Sequence, residues 1–272
     1  MASEFPLLPL KDEWAVILGA SSGFGGATAR ALARAGMNIF GVHLDMKATK
    51  AMAEEVKADI EGLGRKAVFI NMNAADEQKR KAAVLSLKHA LGGTNQKVRV
   101  LLHSLAFGTL RLFINRDNAE DQMTQAQLEM TMNVMANSLV YWVQDIVSAG
   151  LFGQNGRVYA MTSSGSERSW PTYGAVSAAK CALEAYIRQF AKELAPFRIT
   201  SNAIRAGITN TPALKKIPGN AQMMEWAKIK NPYDRLTTPE DVALAIAKLS
   251  EPETYWMNGN IINVDGGEIV IL

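Results

Sequence analysis

Short apolar runs alternate along the chain with longer amphipathic stretches. WAVILGA (14–20) is almost wholly apolar, the pattern of a parallel strand buried on both faces. Similar runs lie at 38–44, 66–73, 98–108, 156–164, 199–207 and 259–267. Helical stretches separate them. An Ala-rich one over 26–36 stops at Gly36, one over 46–64 ends at the Gly62–Gly64 punctuation, and others span 76–93, 124–150 and 173–195. This alternation predicts an α/β fold: a doubly wound, seven-stranded parallel sheet in three αβα layers. No repeat, low-complexity tract or linker divides the chain, so residues 1–272 read as a single domain. Residues 208–235 break the alternation just after the sixth strand. Ligands of open α/β sheets bind beyond the carboxyl ends of the strands, so this insertion is read as a substrate-binding lid.

Composition narrows the setting. Apolar residues make up 48% and charged residues 20% of the 272, as in ordinary soluble domains. No apolar run approaches the roughly eighteen residues of a membrane span. Cys181 is the only cysteine, and the start MASEFPLLPLKDEW has no basic flank before an apolar core. A reducing, cytoplasmic location is therefore expected, without disulfides or a secretory signal. Net charge is +3 with no Lys/Arg block, which argues against a nucleic-acid partner. His89 and His103 lack Cys or Asp partners at ligand spacing, so no metal site is expected.

One turn carries recognisable chemistry. GASSGFG (19–25) joins the first strand to the first helix. Gly19 allows a tight exit from the strand. Gly23 and Gly25, on either side of Phe24, let backbone N–H groups approach a pyrophosphate, and Ser21 and Ser22 add hydroxyl donors. At the end of the second strand, Asp45 suits a ribose 2′-OH, whereas His43 and Lys47 suit a 2′-phosphate. The balance favours NADH over NADPH. Asn73, after the third strand, is placed either to bond an adenine amino group or to cap the loop, with Ala74 contributing backbone.

That turn, HSLAFG (103–108), TSSGSERSWPTYGAVSAAK (162–180), AGITNT (206–211) and VDGG (264–267) occur in the order found in short-chain dehydrogenase/reductases. The chain resembles that family over nearly its whole length. Within it, the chain looks most like the divergent branch of enoyl-acyl-carrier-protein reductases. His103-Ser104-Leu105-Ala106 replaces the more usual Asn-Asn-Ala-Gly, and six residues separate Tyr173 from Lys180 where three are usual. Ser163 keeps the family's spacing to Lys180, while Val176 fills the usual tyrosine slot.

On a regular helix, seven positions rotate about 700°, leaving Tyr173 and Lys180 about 20° apart, against about 40° for the usual spacing. The phenol then lies about 4.5 Å further along the axis. Such a displacement suits an enoyl thioester, in which hydride adds at C3 and charge develops on a carbonyl oxygen further off.

The resemblance implies a Rossmann-type oxidoreductase that transfers hydride from a nicotinamide cofactor to C3 of a 2-enoyl thioester in type II fatty-acid synthesis. It also implies a homotetramer. Tyr173 would bond the thioester carbonyl, Lys180 the nicotinamide ribose, and Asn133 would support Lys180 through water. Ser104, Leu105, Ala106, Gly207, Thr209 and Thr211 would border the cofactor. Many enoyl reductases carry a second tyrosine where Ser163 stands, and a serine there also serves ketone reduction. A ketone, hydroxysteroid-type or 3-oxoacyl-thioester reductase therefore remains the alternative.

Phe107, Leu214, Ile217, Met223, Met224 and Trp226 either line an acyl channel or form ordinary core. Lys215, Lys216, Lys228 and Lys230 either meet an acidic acyl carrier protein or form a solvated face.

Overall fold

A computed structural model describes residues 10–93 and 96–271. Part of the N-terminal segment read for a secretory signal, residues 1–9, lies outside the described residues. The first apolar run forms β1 (Trp14–Leu18), every residue of which is buried. It is followed by β2 (Asn38–His43), β3 (Ala67–Asn71), β4 (Val98–His103), β5 (Phe152–Ser163), β6 (Ile199–Ala206) and β7 (Ile261–Val264). All pairings are parallel, in the order β3-β2-β1-β4-β5-β6-β7.

Helices cover both faces, which is why these strands lack a polar side. On one face α1 (Gly23–Arg34), α2 (Lys50–Gly62) and α8 (Pro239–Leu249) contribute Leu32, Val56 and Ile246 to a core with Ile17, Leu102 and Ile204. On the other, α3 (Glu77–Leu91), α5 (Ser138–Ser148) and α6 (Gly174–Glu193) contribute Leu87, Trp142 and Leu183 against Val16, Leu101 and Val158. Among the described residues, no helix is long and apolar enough to cross a membrane.

Several boundaries differ from the sequence reading. β1, β4 and β7 are shorter because the glycine and polar residues at their ends turn away as loops, while β5 begins earlier, at Phe152. The first helix starts at Gly23, inside the Gly-rich turn. The stretch read as one long helix over 124–150 is α4 (Gln125–Met132), a π-turn (Asn133–Asn137) and α5. α6 begins at Gly174, so Tyr173 stands just before it. The 208–235 insertion contains its own helix, α7 (Asn220–Lys230).

β1 lies between β2 and β4, so the connections out of β1 and β4 diverge to opposite sides and open a crevice at their carboxyl ends. The Gly-rich turn, Ser104 and Gly207 follow the ends of β1, β4 and β6, and Ser163 closes β5. The sheet thus gathers segments far apart in sequence along one edge.

Candidate active site

Backbone-to-backbone contact builds the mouth of the crevice. Gly19 has φ +92°, and a Cβ there would run into the carbonyl oxygen of Ser104; one on Gly25 would run into the carbonyl of Gly19. Only glycine permits this closeness. Ser22 precedes α1 in extended conformation, φ −162° and ψ 179°, and its side chain caps none of the first-turn N–H groups. Those N–H groups and the helix dipole are left to an anion. Thr211 Cγ2 would lie 3.6 Å from a Cβ on Gly23, so the loop after β6 borders the same turn. Phe24 packs its ring on the core beside α1.

Asp45 lies at the rim of this turn. Its carboxylate is 2.7 Å from His43 Nδ1, and its backbone N–H donates to Asn71 Oδ1 at 2.9 Å. Burial alone would raise the Asp45 carboxyl, but hydrogen bonds from Thr49, Ser21 and His43 outweigh it and hold the carboxyl below its ordinary value. Asn73 Oδ1 accepts from Ala75 N–H at 3.0 Å, a loop-capping bond that leaves the amide oxygen a second acceptor position. The Ala74 carbonyl accepts from the Trp142 indole at 2.9 Å.

At the end of β5, burial raises the Tyr173 phenol above its ordinary value, and the neighbouring Ser163 hydroxyl acts in the opposite sense. Tyr173 is therefore a protonated donor. With φ −89° and ψ 0° it lies outside the regular turns of α6, so the helical extrapolation from Lys180 does not place its ring. Instead the ring lies over Gly165, where a Cβ would stand 2.5 Å from Tyr173 Cε1. Val176, in the usual tyrosine slot, is buried in the core and faces Gly108. Lys180 is buried and donates to the Met161 carbonyl at 2.8 Å. Desolvation pulls its amine down to about 8, with Glu184 acting in the opposite sense.

Asn133 opens the π-turn, a feature frequent at functional sites. His103 is wholly buried, and its Nε2 lies 2.8 Å from Ser138 Oγ. The Ser138 hydroxyl donates to the Val134 carbonyl at 2.8 Å, so the imidazole Nε2–H donates to the serine, while Nδ1 is buried without a partner. Desolvation and then the Lys180 charge push His103 down to about 3.

The loop after β6 leads into the 208–235 insertion. Thr209 and Thr211 are buried, and Thr211 N–H donates to the Thr209 carbonyl at 2.8 Å. Leu214 and Ile217 are also buried, Met223 and Met224 are half-buried, and Phe107 and Trp226 are exposed. Trp170, three residues before Tyr173, meets Trp226 edge-on with ring centroids 6.2 Å apart, and its indole donates to the Pro218 carbonyl at 3.0 Å. Glu268 receives the Ile208 N–H at 3.0 Å and braces the loop from the C-terminal side.

Trp170, Gly165 and Glu268 were not singled out from the sequence. Only the position of Trp170 near Tyr173 offered a signal, since the other two act through contacts that the fold creates. The tight backbone packing at Gly19 and Gly25 holds the turn against the uncapped N-terminus of α1, an arrangement that fits the pyrophosphate of a dinucleotide.

A family model described as Enoyl-(Acyl carrier protein) reductase matches residues 19–268. The chain belongs to this family of short-chain dehydrogenase/reductases. The 3-oxoacyl-(acyl-carrier-protein) reductase of Thermotoga maritima is 26% identical over 96% of this chain and 99% of its own. A short-chain dehydrogenase from Burkholderia cenocepacia, solved with NADP, has a TM-score of 0.81 and 26% identity, covering 96% of this chain and 99% of that one. The enoyl-(acyl-carrier-protein) reductase (NADH) of Aquifex aeolicus shares the fold, with a TM-score of 0.81 at 23% identity over 97% of this chain and 98% of that one. As a short-chain dehydrogenase/reductase, the chain is an oxidoreductase of the nicotinamide-dependent type. Its relatives divide between ketone and enoyl substrates, so the substrate must be argued from the site.

Proposed function

We propose that the chain is an NADH-dependent enoyl-thioester reductase acting on 2-enoyl groups carried by an acyl carrier protein. The observation carrying this reading is the displaced phenol. Val176 is packed into the core, and Tyr173, outside the first turn of α6, is the donor at the end of β5. When bound, NADH would supply hydride to C3 of the substrate, and a proton taken up from solvent at C2 would complete the reduction. Tyr173 O–H hydrogen-bonds the thioester carbonyl and stabilises the negative charge that develops there. Lys180 orients the nicotinamide ribose and adds positive charge near that oxygen. The ionised carboxylate of Asp45 accepts from an unmodified ribose and repels a 2′-phosphate, which supports NADH. The exposed Lys215, Lys216 and Lys228 suit an acidic carrier at the lid. Assembly as a homotetramer in the cytoplasm belongs to the same proposal.

A second reading, 3-oxoacyl-thioester reduction, is favoured by the Ser163 hydroxyl standing beside Tyr173, an arrangement that also serves a ketone oxygen. Following absorbance at 340 nm with crotonyl and acetoacetyl thioesters, each with NADH and NADPH, separates the two. Turnover of crotonyl thioester with NADH supports the first reading. Turnover of acetoacetyl thioester alone establishes the second.

A further inference from the structure

Behind Tyr173 and Lys180 lies a buried charged cluster for which the reaction above has no use. Glu184 follows Lys180 by one turn of α6, with its side chain only 9% exposed. Its Oε1 accepts from Thr162 Oγ1 at 2.7 Å, Ser166 Oγ at 2.8 Å and Arg205 Nη2 at 3.3 Å. Arg205, on β6 and equally secluded at 7%, also donates to Glu167 at 2.7 Å. Ser166 Oγ lies 3.0 Å from the Ser163 carbonyl. One carboxylate therefore ties α6 to β5, to β6 and to the loop after Ser163. These elements hold Ser163, Tyr173 and Lys180.

Fold stability does not account for this arrangement. A buried ion pair is often no more stabilising than apolar residues of similar volume. Here Arg205 Nε is also buried without a hydrogen-bond partner, which costs on the order of 1–3 kcal/mol. What the cluster does uniquely is place a negative charge one turn from Lys180 and temper it with Arg205. We propose that Glu184 and Arg205 are positioning residues that retain the charge on Lys180 and fix the loop between Ser163 and Tyr173. The inference rests on Lys180 and Tyr173 being the reacting pair.

The groups facing Lys180 limit how its charge can be set. His103, on β4, is neutral, and Met161, on β5, offers a carbonyl. Glu184 is the carboxylate that supports the ammonium against desolvation. Glu184→Gln removes that support, so the Lys180 amine should lose its proton at lower pH. Arg205→Gln leaves the carboxylate less neutralised, so the amine should hold its proton to higher pH. A purely structural role predicts no such opposition of sign.

The test is 13C NMR of lysine Cε in the full-length protein, with the Lys180 signal assigned by its loss in Lys180→Arg. Wild type should titrate near 8. Glu184→Gln should move the midpoint down, and Arg205→Gln up, each by about one pH unit, a tenfold change in proton affinity. Thr162→Val, a milder change that also strips a donor from Glu184, should move it up and serves if either charge variant fails to fold. Glu184→Asp should recover at least half of the shift. The alkaline limb of kcat with the thioester substrate should follow the NMR midpoint, with KM little changed. Shifts in one common direction, or none, in folded variants overturn the proposal. The titration needs no turnover, so a chain inactive on thioesters would defeat the proposed reaction and leave this inference separately readable.

Discussion

The ring of Tyr173 lies against Gly165: a Cβ added to Gly165 would stand 2.5 Å from Tyr173 Cε1 and 3.2 Å from Ser163 Oγ. The two residues are eight apart in sequence and belong to one loop closing on itself. The absent side chain is what admits the phenol to Ser163. We predict that Gly165→Ala displaces the ring and lowers kcat by about a hundredfold, the scale expected of an ångström-sized misplacement. Overpacking should cost about 1–3 kcal/mol of stability. Steady-state kinetics with thermal unfolding checks both, and an unchanged kcat would remove Tyr173 from the proposed role.

Asp45 is held at the mouth of the Gly-rich turn by His43, the last residue of β2. Replacing the carboxylate by an amide removes the charge that opposes a 2′-phosphate. For Asp45→Asn we expect NADPH to bind about tenfold more tightly, about 1.4 kcal/mol, and NADH to weaken. Fluorescence titration with both cofactors measures the ratio.

His103 is buried and neutral, with its imidazole pushed down to about 3 by desolvation first and by Lys180 second. An unfolded histidine has a pKa near about 6.5. Between these values the unfolded chain binds the extra proton, so this group makes stability rise with pH and fall as pH drops from about 6.5 toward 3. At pH 5 the loss should be about 2 kcal/mol. Urea unfolding of wild type and His103→Gln at pH 7 and pH 5 should show the wild type losing more on acidification. Equal slopes would show that His103 titrates normally.

Trp170 and Trp226 join the loop of Tyr173 to α7 through an edge-to-face contact. Such pairs contribute about 0.5–1.5 kcal/mol beyond their burial. Trp226→Ala should loosen α7, raising KM for the acyl thioester about three- to tenfold with NADH affinity unchanged. Faster amide exchange confined to residues 220–230 would be the accompanying signature.

Much of the architecture was legible because the central strands β1, β2 and β4 are apolar runs buried on both faces, and several helices end in recognisable punctuation. Gly36 and Gly92 take positive φ, and Asp76 caps α3 through Lys79 N–H. Boundaries at the site were less legible. The π-turn at Asn133 leaves the helical periodicity almost intact, so the stretch reads as uninterrupted helix. Tyr173 is likewise separated from α6 only by its own dihedral angles. For Asn73, read as either an adenine contact or a loop cap, the bond from Ala75 N–H shows the capping contact in place, with one acceptor position of the oxygen still free.

By itself, the sequence determined the order of strands and helices, the Gly-rich turn and the spacing among Ser163, Tyr173 and Lys180, because these follow from local periodicity and counting. Tertiary structure decided where those side chains stand. The Tyr173 ring over Gly165, the Glu184–Arg205 pair behind Lys180 and the neutral His103 depend on strands and helices brought together by the sheet order. Burial and hydrogen bonding between distant segments set their orientation and charge, and neither is encoded in the spacing of any one motif.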